Sequence, residues 1–242
     1  MKKYIYILLA VIALSSCYHS QVIELSGEQT TREFLFNPTC ESLSVFNTFD
    51  VILDESIPLG IAIIETDAAV MEHVKVKSRE DKLSISLKGK WRVSTAEMLV
   101  RISPKGFKEF NATGACELIC EDPINLYEVE LDATGASTII FNDIKAYEIE
   151  ADATGTSTII LRGIADEVEL SATGVSSIKA YELECRKAEV RATGTSTISV
   201  NATEKLTGSN IGVSTIHYVG SPYEISVQNV GMSSIQKLMS LD

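Results

Sequence analysis

From residue 107 onward the chain alternates, with small or apolar residues at every second position and mostly polar ones between. Aligned on glycine, the second half reads "NATGACELIC", "DATGASTIIF", "DATGTSTIIL", "SATGVSSIKA", "RATGTSTISV", "SNIGVSTIHY" and "QNVGMSSIQK". The glycines are Gly114, Gly135, Gly155, Gly174, Gly194, Gly212 and Gly231, at intervals of 18 to 21 residues. Two residues after each stands Cys116 or a serine (Ser137, Ser157, Ser176, Ser196, Ser214, Ser233). Four after it stands Leu118 or an isoleucine, and two before it alanine, except for Asn210 and Asn229. A period of two marks strands with one buried face, so these even positions point inward.

One 20-residue unit cannot bury such a face alone. Stacking copies buries it, with like residues in ladders about 4.8 Å apart. The pattern therefore predicts an all-β fold whose main part, 107–242, is a β-solenoid with turns of about 20 residues. An antiparallel sandwich of repeated hairpins is the rival, but similar sequence in every turn favours stacking in register. The glycine marks a narrow place where the backbone bends or approaches closely.

Residues 37–106 lack the repeat yet read as a β-rich region. "SLSVFNTFDVIL", "GIAIIET", "VKVKS", "KLSISLK" and "MLVRIS" have strand composition. "DAAVMEH" suggests one helical turn capped by Asp67. Pairing of this region onto the first coil would cover a sheet edge that a solenoid must protect.

The start of the chain concerns its address. "MKK" is basic, "YIYILLAVIAL" is apolar but too short to span a bilayer comfortably, and "LSSC" follows. This reads as an export signal over 1–16. Leu14, Ser15, Ser16 and Cys17 resemble the bacterial lipobox, which implies lipid on Cys17 and a tether over 17–36. An incidental Cys after an ordinary signal is the alternative. The membrane is then a partner through the N-terminal lipid.

The lipobox, the strands around "FNTFDVIL" and "DKLSISL", and the "ATGASTI"-like repeats together resemble the bacterial family of autotransporter-adhesin head GIN domains, a domain of unknown function. The resemblance covers about 37–235. It implies a right-handed parallel β-helix in an exported envelope protein, at the outer membrane or cell surface. It brings no catalytic residues with it.

The formal charge of -12 argues against nucleic acid as a partner. Much of that charge is organised. Seven, five and three residues before the glycine stand Glu128, Glu130 and Asp132, then Glu148, Glu150 and Asp152, then Glu167 and Glu169 with Ser171. This grid is a candidate site for calcium or for a basic partner surface. Its plainer reading is a solvated face. No cofactor is required. Cys40, Cys116, Cys120 and Cys185 read as buried fillers, and three scattered histidines suggest no metal site. Threonines beside the glycines form a second outward array, which is suited to strands in any case. An acidic face with Arg191 nearby has a faint likeness to a β-helix polysaccharide lyase, but no long loop builds a groove. The expectation is a binding module and not an enzyme, attaching or scaffolding through its repetitive face to a glycan or protein. A lyase-like enzyme and a purely structural envelope protein are the alternatives. The sequence leaves the oligomeric state unknown.

Overall fold

A computed structural model describes residues 21–238, except 90, 94 and 95. The signal over 1–16 and Cys17 lie outside the described residues. Among the described residues, one short helix aside, the regular elements are strands, and parallel strands stack into a β-solenoid.

Glu109–Gly114, Glu128–Gly135, Thr138–Gly155, Thr158–Gly174, Ser177–Gly194, Thr197–Gly212 and Glu224–Gly231 carry the repeat. Each pairs with the next in parallel, and glycine faces glycine at every step. The inward set is as the alternation predicts. Ala133, Ala153, Ala172 and Ala192 are buried, as are Ser137, Ser157, Ser176, Ser196 and Ser214 and the isoleucines Ile139, Ile159, Ile178, Ile198 and Ile216.

The buried serines need partners, because an unpaired buried hydroxyl is costly. Each bonds back across its own bend. Ser157 Oγ donates to the Thr154 carbonyl at 2.9 Å, and Ser137 Oγ to that of Thr134 at 3.0 Å. Ser176 Oγ also reaches the Ala153 carbonyl at 2.8 Å in the turn before. Small, hydrogen-bonded residues therefore fill the narrow edge. Phe110 and Phe141 fill the wide part, edge to face, with centroids 5.3 Å apart.

The glycine ladder has a double cause. At Gly155 φ is +93°, and an added Cβ would lie 2.7 Å from the Gly135 carbonyl oxygen. That oxygen accepts the Thr156 N–H at 2.7 Å. Neither the backbone angle nor the space admits a side chain.

The parallel stack also continues below residue 107. Ser42–Asn47 pairs in parallel with Glu109–Gly114, and Asp50–Leu53 with Glu117–Cys120. Asn47 takes the glycine place with φ +77°, one of two non-glycine residues with positive φ among those described. Its Oδ1 accepts the Leu87 N–H at 3.0 Å. Asparagine tolerates this region better than most residues. Phe49 occupies the serine place and Val51 the isoleucine place, both buried. Residues 42–53 are thus a disguised turn. Below it, Lys82–Leu87 and Leu99–Ile102 make one more parallel layer.

Antiparallel strands then close this end. Val74–Arg79 pairs with Lys82–Leu87, Ile61–Asp67 with Leu99–Ile102, and Gln29–Leu35 with Ile61–Asp67. The predicted covering of the edge is realised, and part of the stretch read as tether supplies a strand to it. The helix Ala68–Met71 is capped by Asp67, whose Oδ1 accepts the Ala69 N–H at 2.8 Å. Among the described residues the other end is barer. Ile225, Val230 and Met232 in the final turn are exposed.

Candidate functional site

The strand register determines which outward residues become neighbours. Glu128, Glu148 and Glu167 align across turns, as do Glu130, Glu150 and Glu169, and Asp132, Asp152 and Ser171. The grid expected from the spacing is therefore assembled, and each residue stands about 4.8 Å from its copy. The middle column extends further than expected. Glu109 pairs with Glu130 below, and Glu189 with Glu169 above, giving five consecutive glutamates. Glu109 sits five before Gly114, so extending the count by one turn identifies it.

Among the described residues, cations form ion pairs with the columns at one end only. Lys187 Nζ lies 2.5 Å from Glu167 Oε1, and Arg191 bridges Glu169 and Glu189. Lys205 pairs with Glu224 at 2.9 Å. Lys108 turns to Glu41 at 2.9 Å. Among the described residues, Glu128, Glu130, Asp132, Glu148, Glu150 and Asp152 have no ion-pair partner.

Three of them show the strain of this arrangement. Burial first, then the charges of Asp132, Glu109, Glu150 and Asp152, raise the Glu130 carboxyl above its ordinary range. Burial and the Asp152 and Glu109 charges raise Asp132, with Lys82 opposing. Burial, then Glu169 and Asp152, raise Glu150. Two shallow depressions lie between the columns. One, of about 320 Å³, is bordered by Glu128, Glu130, Glu148, Glu150 and Lys108. The other, of about 370 Å³, is bordered by Glu167, Glu169 and Glu189 with Lys187 and Lys205. The acids stand side by side and do not converge: among the described residues no three His, Cys, Asp or Glu side chains are grouped to hold a metal ion.

The four described cysteines are free and buried. Burial pushes the Cys116 thiol to about 11 and those of Cys120 and Cys185 to about 12. They are packing residues with little thiolate at neutral pH.

A family model described as "Putative auto-transporter adhesin, head GIN domain" matches residues 40–222. The chain belongs to the head GIN domain family. Its match begins just before the disguised turn at 42–53 and ends just before Glu224–Gly231, so it embraces the N-terminal layers and every repeat but the final one. Solved structures share this head GIN fold. A "putative adhesin" from Bacteroides fragilis superposes with a TM-score of 0.79 at 18% identity, covering 88% of this chain and 98% of its own. A "putative lipid binding protein" from Parabacteroides distasonis gives 0.70 at 21%, covering 90% and 100%. A "putative adhesin" from Parabacteroides merdae gives 0.68 at 20%, covering 91% and 100%. At these identities the likeness concerns the fold. No curated protein matches the chain.

Proposed function

We propose that this head GIN domain protein is a lipid-anchored attachment or scaffolding module of the cell envelope, working by binding and not by catalysis. Cys17 carries the lipid, and the solenoid presents its outward face to a partner. One observation supports this reading most: the acid columns are repeated in strict register, while six of the eight predicted acids have no ion-pair partner among the described residues. A protein surface that only needed solubility would intersperse its charges, because stacked like charges oppose one another. A regular surface of one sign suits an extended partner of the opposite sign.

Side-by-side carboxylates favour a basic surface over a single chelated ion. Calcium bridging between the columns is the second form of the same proposal. The test immobilises the protein and measures retention of solubilised cell-envelope material with and without calcium. Glu130→Gln/Glu150→Gln should lower retention, more so at low salt. Retention that ignores both this variant and salt would overturn the role of the face. Calcium titration by calorimetry that gives no heat would remove the bridging form.

A further inference from the structure

A second outward feature lies at the corner that precedes the acidic columns. The residues eight before each glycine from Gly135 onward form their own ladder: Tyr127, Tyr147, Asp166, Arg186, Glu204 and Tyr223. Tyr127 and Tyr147 stack flat, with centroids 5.1 Å apart and planes at 4°. They remain 69% and 44% exposed. Arg186 then clamps Asp166 and Glu204, each at 3.0 Å. Beside this ladder runs an open trough of about 570 Å³. That is within the roughly 300–1,000 Å³ of small-ligand sites. Its floor is apolar and low, because Ala146 and Ala165 occupy it. Ile164, 58% exposed, forms one wall with Lys145, and Tyr147 forms the other with Arg186. Among the described residues Lys145 has no carboxylate at ion-pair distance.

We propose that this trough is a saccharide subsite for a neutral glycan chain lying along the solenoid axis. The trough is a site separate from the acidic columns, and the inference goes beyond the partner proposed for them. Pyranose rings have apolar C–H faces and a hydroxyl rim. The alanine floor, Ile164 and the Tyr147 ring suit the first, and Tyr127 behind Tyr147 holds that ring in place, which lowers the ordering cost of binding. The rim mixes donors, Lys145 and Arg186, with acceptors, Asp166 and Glu184. Hydroxyls give and take hydrogen bonds and can satisfy both. An acyl chain would offer nothing to Lys145 and Glu184, which have no ion-pair partner among the described residues. An anionic polymer would meet Asp166, Glu184 and a protein of charge -12. The trough crosses four successive turns, roughly 14 Å at ~4.8 Å per turn, enough for a short oligosaccharide.

The experiment uses the exported chain from residue 18 onward and calorimetry with mannohexaose, cellohexaose, galactohexaose, oligogalacturonate and phosphatidylglycerol vesicles. At least one neutral hexasaccharide should bind. Tyr147→Ala should weaken it about tenfold, the loss expected for one aromatic contact. Ala146→Trp, which fills a partly exposed site, should abolish it while circular dichroism stays unchanged. Glu130→Gln/Glu150→Gln should leave it intact. Binding that survives both trough variants overturns the site. Binding only of oligogalacturonate or vesicles, or of no sugar at all, overturns the ligand class. In each of these cases retention of envelope material by the acidic face, measured separately, can still succeed, so the two readings fail independently.

Discussion

Replacing Gly155 by alanine tests the reason for the glycine ladder. Alanine at φ +93° carries backbone strain of about 1–2 kcal/mol. Its Cβ would also sit 2.7 Å from the Gly135 carbonyl oxygen, where ordinary contact begins at 3.4 Å. The turns must therefore part locally. Parting lengthens the 2.7 Å bond from Thr156 N–H to that oxygen until it fails. A lost bond of this kind costs about 0.5–1.5 kcal/mol. The sum is about 1.5–3.5 kcal/mol. Gly27 is the control: its φ is +77°, but nothing lies within 4 Å of an added Cβ. Gly27→Ala should cost only the strain, about 1–2 kcal/mol. Urea unfolding followed by circular dichroism measures both, with an unchanged slope showing that the unfolded state is not altered. Equal losses at the two sites would refute the claim that close approach between turns requires glycine.

Other outcomes follow from the same structure. Ser157→Ala should cost about 1 kcal/mol through the lost bond to the Thr154 carbonyl, and Ser157→Val more through overpacking, both read by urea midpoint. The raised carboxyls of Glu130, Asp132 and Glu150 bind protons more tightly in the folded state, so their charges destabilise it above those raised values. Melting temperature should rise as pH falls from neutral through them, and Glu150→Gln should reduce that rise. Asp67 has the opposite sign: burial pushes it up, but N–H donors from Ser26, Ala69 and Gly27 outweigh that and hold it low. Its stabilising charge is lost in stronger acid, so the melting curve should turn down again. Native protein should resist iodoacetamide at Cys116, Cys120 and Cys185 at pH 8, and urea should expose them, as mass spectrometry would record. Cys17→Ala should move the protein from the membrane fraction to the soluble fraction.

Much of the fold was legible because each turn copies the last. The alternation around Gly135 and Gly155 separates inside from outside, and the copied register then places Glu130 beside Glu150 without further information. Legibility failed where physics allowed a substitute. Asn47 can take the glycine's backbone angle, and Phe49 is buried in the serine place, so the turn at 42–53 lost its recognisable letters. The antiparallel cover depends on long-range pairing, as between Gln29–Leu35 and Ile61–Asp67, which no local pattern encodes. The trough was hidden for another reason. Its residues keep the count back from the glycine, Lys145 beside Ile164 and Glu184 and Ala146 beside Ala165 and Cys185, but their chemical type changes from turn to turn, so no repeated letter marks the column.

The two ends of the stack differ, and this gives the molecule a direction of growth. Antiparallel strands cap one end and accept no further turn, whereas the bare Gly231 turn presents the same edge that Gly212 presents to it. "DATGASTIIF" and "DATGTSTIIL" lie one turn apart in matching register. Unequal recombination between the gene segments encoding them would add or delete a complete layer and leave every remaining contact type in place. Length in this architecture is thus a quantity that inheritance can adjust in whole steps, and each step carries its own row of outward acids with it.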